Sequence, residues 1–119
     1  MNNLALVYVN GDGVARDDTE AYKWFSKAAQ QGNAHGMNNL GAMYAGGRAV
    51  AQDDKEAVRW YRQAAELGYD VAMKNMGVMY EDGRGVEKNR AEALKWYKKA
   101  AELGNEDAQR AVKRLQAGK

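Results

Sequence analysis

The stretch Glu56-Ala57-Val58-Arg59-Trp60-Tyr61-Arg62-Gln63-Ala64-Ala65-Glu66-Leu67-Gly68 sets Ala57, Trp60, Tyr61, Ala64 and Ala65 on one face of a helix, and a glycine closes it. The same pattern returns 36 residues later, at Ala93, Trp96, Tyr97, Ala100, Ala101 and Gly104. It also stands 36 residues earlier, at Ala21, Trp24, Phe25, Ala28, Ala29 and Gly32. Outward from this string the period holds: Tyr8, Tyr44 and Tyr80 share it, as do Gly11, Gly47 and Gly83, and Val14, Val50 and Val86. Residues 34–69 and 70–105 agree at 17 of 36 positions, far more than chance supplies, so the chain is an array of one unit.

Each unit reads as two helices. The first carries Met37, Leu40, Gly41 and Tyr44, or Met73, Met76, Gly77 and Tyr80, again at i, i+3, i+4, i+7. A glycine-containing link such as Gly83-Arg84-Gly85-Val86 joins it to the second. Asp17-x-x-Glu20, Asp53-x-x-Glu56 and Asn89-x-x-Glu92 have the form of capping boxes at the second helices. The spacing predicts first helices near 2–9, 34–45, 70–81 and 106–116, and second helices near 18–31, 54–67 and 90–103. The expectation is one all-α domain over 1–119, with repeats at about 1–33, 34–69 and 70–105 and a capping helix at 106–117. Met1-Asn2-Asn3-Leu4 aligns with Met37-Asn38-Asn39-Leu40, so the first helix starts about one turn short. It is either frayed or part of a longer array.

Composition excludes several functions. Eighteen basic against sixteen acidic residues leave a net charge of +2, too small and too mixed to imply nucleic acid as a partner. With 45% apolar and 29% charged residues the balance is that of a globular chain. No apolar run approaches the roughly 20 residues of a membrane span, and the start lacks the basic region of a signal peptide. Neither a membrane nor a secretory route is expected, which leaves the compartment open with the cytoplasm as the default. The absence of cysteine removes disulfides, thiolate metal sites and Cys nucleophiles.

The string Leu40-Gly41-x-x-Tyr44, continued by Val50-x-x-Asp53-x-x-Glu56-Ala57-x-x-Trp60-Tyr61-x-x-Ala64-Ala65-x-x-Gly68, resembles the Sel1-like repeat. Tyr80-x-x-Gly83-x-Gly85-Val86 followed by Trp96-Tyr97-Lys98-Lys99-Ala100-Ala101 resembles it again, and the likeness covers nearly the whole chain. It departs at Ala49, where the second link glycine is usual, at Phe25 in place of Tyr, and at Ala5 in place of the helix glycine. The resemblance implies a right-handed superhelix of antiparallel helix pairs, related to tetratricopeptide repeats. It also implies an adaptor or scaffold role, in bacterial signalling, secretion and host interaction or in eukaryotic quality control. Physically, a helix pair cannot bury its apolar face alone, and about three units are needed for stability. Gly41 and Gly77 are expected to let paired helices approach, and the tryptophans to fill the gaps between units. Trp60→Ala is then expected to cost about 3–5 kcal/mol.

Catalytic candidates are few. His35, Ser26 and Thr19 are the sole residues of their types and match no triad signature. His35 lacks a second ligand at helical spacing, so no metal is expected. Gly11-Asp12-Gly13 and Gly83-Arg84-Gly85 imitate phosphate loops without the strand and third glycine of a dinucleotide site. No cofactor is expected. Adjacent carboxylates such as Asp53-Asp54 and Glu81-Asp82 point apart on a helix and mark its ends.

A partner would be read at exposed positions that differ between units. By analogy with tetratricopeptide arrays the first helices line the concave side. Asn3, Asn39 and Asn75 recur and are read as structural, while the position before them changes from Asn2 and Asn38 to Lys74 and Arg110. One turn later stand Leu6, Ala42, Val78 and Arg114; one turn earlier stand His35, Val71 and Asp107. The set describes a groove with an apolar floor and a cationic C-terminal half, suited to an acidic segment or a C-terminal carboxylate. The alternatives are a structural array that self-associates through the incomplete first unit and, remotely, an enzyme acting on cell-wall material.

Overall fold

The computed structural model describes residues 15–117, all of its regular structure helical: α1 Ala15–Gln30, α2 Ala34–Gly46, α3 Asp54–Glu66, α4 Asp70–Asp82, α5 Arg90–Glu102 and α6 Glu106–Ala117. The helix expected at 2–9 lies outside the described residues. Each helix packs on the next, giving a solenoid of helix pairs in which α2, α4 and α6 are first helices and α1, α3 and α5 second helices.

Local signals place the helix ends. Asp53 Oδ1 accepts from the Glu56 N–H at 3.1 Å, and Asn89 Oδ1 from the Glu92 N–H at 3.0 Å. Only this half of each capping box is used: the Asp53 and Asn89 N–H groups donate instead to the Tyr44 and Tyr80 carbonyls at 3.0 and 2.9 Å, and the Glu56 and Glu92 carboxylates pair with Arg59 and Lys95. Asn33 and Asn105 cap α2 and α6 in the same way, through the N–H groups of Gly36 and Ala108 at 2.8 Å each. In the first unit α1 already begins at Ala15, and the side chain of Asp17, the cap expected there, lies outside the described residues.

The core runs along the axis. Phe25 and Tyr97 are 2% exposed and Tyr61 5%, packed among alanines of near-zero exposure and the buried Met43, Met76 and Met79. The deepest aromatic is therefore the residue after each tryptophan. Trp24, Trp60 and Trp96 are half-buried, pack onto the core from its edge, and lie under Lys27, Arg59 and Lys99 at 5.9, 5.3 and 4.9 Å. Spacing puts both aromatics on the apolar face, but the neighbouring helix is centred over the second.

Links bind each unit to the one before. Arg48 Nη2 donates to Asp18 Oδ1 at 2.7 Å, and Arg84 Nη2 to Asp54 Oδ1 at 2.9 Å and to the Ala45 carbonyl at 2.8 Å. Both acids lie in the first turn of a second helix, so a charge-assisted hydrogen bond ties the link of one unit to the second helix of its predecessor. At the same register in the third unit stands Arg90, which donates to the Leu115 carbonyl at 2.5 Å.

Candidate functional site

Helical periodicity arranges the variable positions of the first helices in rows, since residues three and four apart share a face. On α2 the row is His35, Asn38 and Ala42; on α4, Val71, Lys74 and Val78; on α6, Asp107, Arg110 and Arg114. Asn2 and Leu6 lie outside the described residues. Ala42, Arg110 and Arg114 are exposed, and His35, Val71, Lys74 and Val78 half-buried. The His35 ring stacks on Tyr69, centroids 5.7 Å apart and planes at 23°.

Asn38 differs from the others. It is 5% exposed, and its Oδ1 accepts from Asn75 Nδ2 at 2.8 Å, a bond between first helices of successive units. It stands in the repeat junction, with its carbonyl oxygen already occupied. The same 37-residue offset applied to Asn39 leads to Asn2, outside the described residues.

The three cations are unequal. Arg114 is gripped by Glu81 of α4 through Nη1–Oε2 at 2.5 Å and Nη2–Oε1 at 3.0 Å, while the Tyr97 hydroxyl donates to Oε1 at 2.7 Å. Arg114, and behind it the Tyr97 hydroxyl, hold the Glu81 carboxyl below its ordinary value against the opposing effect of burial. Burial and the same carboxylate push the Tyr97 hydroxyl up. Arg110 pairs with Asp107 one turn earlier on the exposed side of α6. Lys74 has no ion-pair partner among the described residues. It is thus the free cation of the row, between Val71 and Val78.

Other sequence candidates take structural places. Asp18 and Asp54 hold the link arginines and Asp53 caps α3. Ser26 is half-buried within α1. Among the described residues no three His, Cys, Asp or Glu side chains gather as a metal site would require. No described helix is long and apolar enough to cross a membrane. The arginine anchors escaped the sequence reading, although the period carried the signal: Asp18 and Asp54 recur in step with Arg48 and Arg84.

The Sel1 repeat profile matches residues 1–33, 34–69 and 70–105, and the chain belongs to this family. Proteins built of these repeats are generally structural or protein–protein interaction modules, not enzymes. Among solved structures, the chain is 42% identical to a Sel1 repeat protein from Oxalobacter formigenes, with a TM-score of 0.80 over 95% of this chain and 85% of that one. It is 43% identical to c5321, a protective antigen present in uropathogenic Escherichia coli strains, at a TM-score of 0.81 over 90% of this chain. It spans 23% of the length of c5321. Helicobacter pylori cysteine rich protein B is 30% identical, with a TM-score of 0.75 over 87% of this chain and 77% of that one. The present chain has no cysteine, so its helix pairs hold together without disulfides. Comparison with curated proteins finds no match.

Proposed function

We propose that this chain is a non-catalytic adaptor or scaffold module that takes a protein or peptide segment on the concave side lined by α2, α4 and α6. Lys74 is the observation that carries the reading: a half-buried lysine between two valines of α4, with no ion-pair partner among the described residues. A cation on an apolar strip favours a carboxylate whose own chain is aliphatic, and the flanking Val71, Val78 and Ala42 favour such a neighbour. Arg110 adds positive charge one unit further on, where its pairing with Asp107 is exposed and therefore exchangeable at little cost. The ligand is then a short acidic segment or a C-terminal carboxylate, with Arg114 kept for Glu81. Titrating labelled acidic peptides against the parent and the Lys74→Glu/Arg110→Glu variant tests this. Binding should weaken at least tenfold in the variant; equal binding by both would remove the proposal.

A further inference from the structure

A groove of about 360 Å³ opens on the opposite set of helices, between α3 and the link that leads into α5. Lys55, Arg59, Arg62 and Glu66 line it, with Val58 and Val86 as its apolar floor. Three cations face one acid, and Arg59 is partly spent on Glu56 at 3.0 Å.

Comparison between units shows how the groove arises. At the first junction Tyr22 and Tyr44 meet edge to face, ring centroids 6.1 Å apart and hydroxyls 3.0 Å apart. In the next unit Tyr80 keeps the place of Tyr44, but Val58 stands where Tyr22 was and Arg62 where Ser26 was. Arg62 Nη2 now donates to the Tyr80 hydroxyl at 3.0 Å. Exchanging a phenol ring for an isopropyl group clears volume, and the longer side chain brings a guanidinium to its wall. That guanidinium is incompletely satisfied, since its Nε is buried with no acceptor. A buried donor without a partner is destabilising, and an incoming carboxylate relieves it after a small rotation of the side chain.

We propose that this groove is a second recognition site, for an extended acidic peptide segment. One carboxylate meets Arg62 and Lys55, and an aliphatic side chain lies on Val58 and Val86. Glu66 argues for a peptide over a phosphodiester chain: a uniform polyanion meets repulsion there, whereas a peptide can offer an amide N–H. The site uses other helices than the concave row and goes beyond that reading.

The test is fluorescence anisotropy with a labelled peptide of alternating glutamate and valine, titrated into full-length Lys74→Glu/Arg110→Glu protein, whose first-helix face is disabled. The peptide should still bind. Adding Val58→Tyr, which restores the ring of the first unit, or Lys55→Glu at an exposed position, should weaken binding at least tenfold. Lys55→Glu keeps the test valid if the tyrosine variant fails to fold. Absence of binding to the double variant, or binding untouched by both groove substitutions, would overturn the proposal. So would tighter binding in this groove by a thymidine oligonucleotide of equal charge.

Discussion

Gly77 lies so close to the ring of Tyr97 that a Cβ built on it would stand 2.6 Å from Cε1; at Gly41 the same test meets the Tyr61 ring at 2.9 Å. The two pairs are one relationship repeated, the contact that lets a first helix settle onto its own second helix. Tyr97 is 2% exposed and cannot move aside. Replacing a helical glycine by alanine gains about 1 kcal/mol of helix propensity, while overpacking a core costs about 1–3 kcal/mol. Gly77→Ala should therefore destabilise by up to about 2 kcal/mol, and Gly41→Ala by somewhat less, read as lower denaturation midpoints in urea. An unchanged or raised midpoint for Gly77→Ala would mean that the ring is free to yield.

Ala49 holds φ at +66°, the left-handed conformation that Gly85 takes at +72° in the next link. A non-glycine residue there costs about 1–2 kcal/mol, and glycine gives back about 0.4–1 kcal/mol through the unfolded chain. Ala49→Gly should stabilise by about 0.5–1 kcal/mol. The mirror substitution, Gly85→Ala, drives a Cβ to 2.4 Å from the Asp54 carbonyl oxygen and should destabilise by more than that gain. Thermal melts of the two variants should shift in opposite directions.

Glu81 links α4 to α6 through Arg114, and that pairing sets part of the acid sensitivity. Its carboxyl titrates below its ordinary value of 4.5 in the folded chain, chiefly through Arg114. A depressed folded pKa stabilises fully above the unfolded value and loses its contribution as pH falls through the folded one. Glu81→Gln should therefore melt below the parent at neutral pH, with the gap closing as pH drops beneath 4.5. A gap that stays constant across that range would contradict the pairing.

Tyr61 and Trp60 should rank opposite to their size. Burial pushes the Tyr61 hydroxyl up to about 12, and its ring is 5% exposed, whereas Trp60 is half-buried beneath Arg59. Tyr61→Ala should cost about 3–5 kcal/mol, and Trp60→Ala roughly 2 kcal/mol, because part of the indole surface stays in water in the folded chain. Equal losses in chemical denaturation would return the tryptophan to the centre of the core.

The helices and their period were legible because Ala57, Tyr61, Ala64 and Ala65 solve the same packing problem in every unit, and identical solutions recur in the sequence. Depth was not legible: Trp60 and Tyr61 share a face by spacing, and only the crossing of the neighbouring helix decides which lies beneath it. The first-helix row was legible as a set of variable positions, yet the surroundings of two members could not be read one by one. Asn38 is a polar residue on a first helix until Asn75, 37 residues away, is seen to reach its side chain. Arg114 is a free cation until Glu81, 33 residues earlier, is found beside it. Such long-range pairings depend on how units stack, which no local pattern contains.

Amide shift mapping of the folded chain, with and without a saturating glutamate-rich peptide, tests most directly whether recognition occupies the surfaces left free by repeat packing. Perturbations are expected at Val71, Lys74, Val78 and Arg110, with the amides of the buried Ala21, Ala93 and Tyr97 unmoved. Shifts spread through those buried positions, or none along the α4 and α6 row, would contradict it.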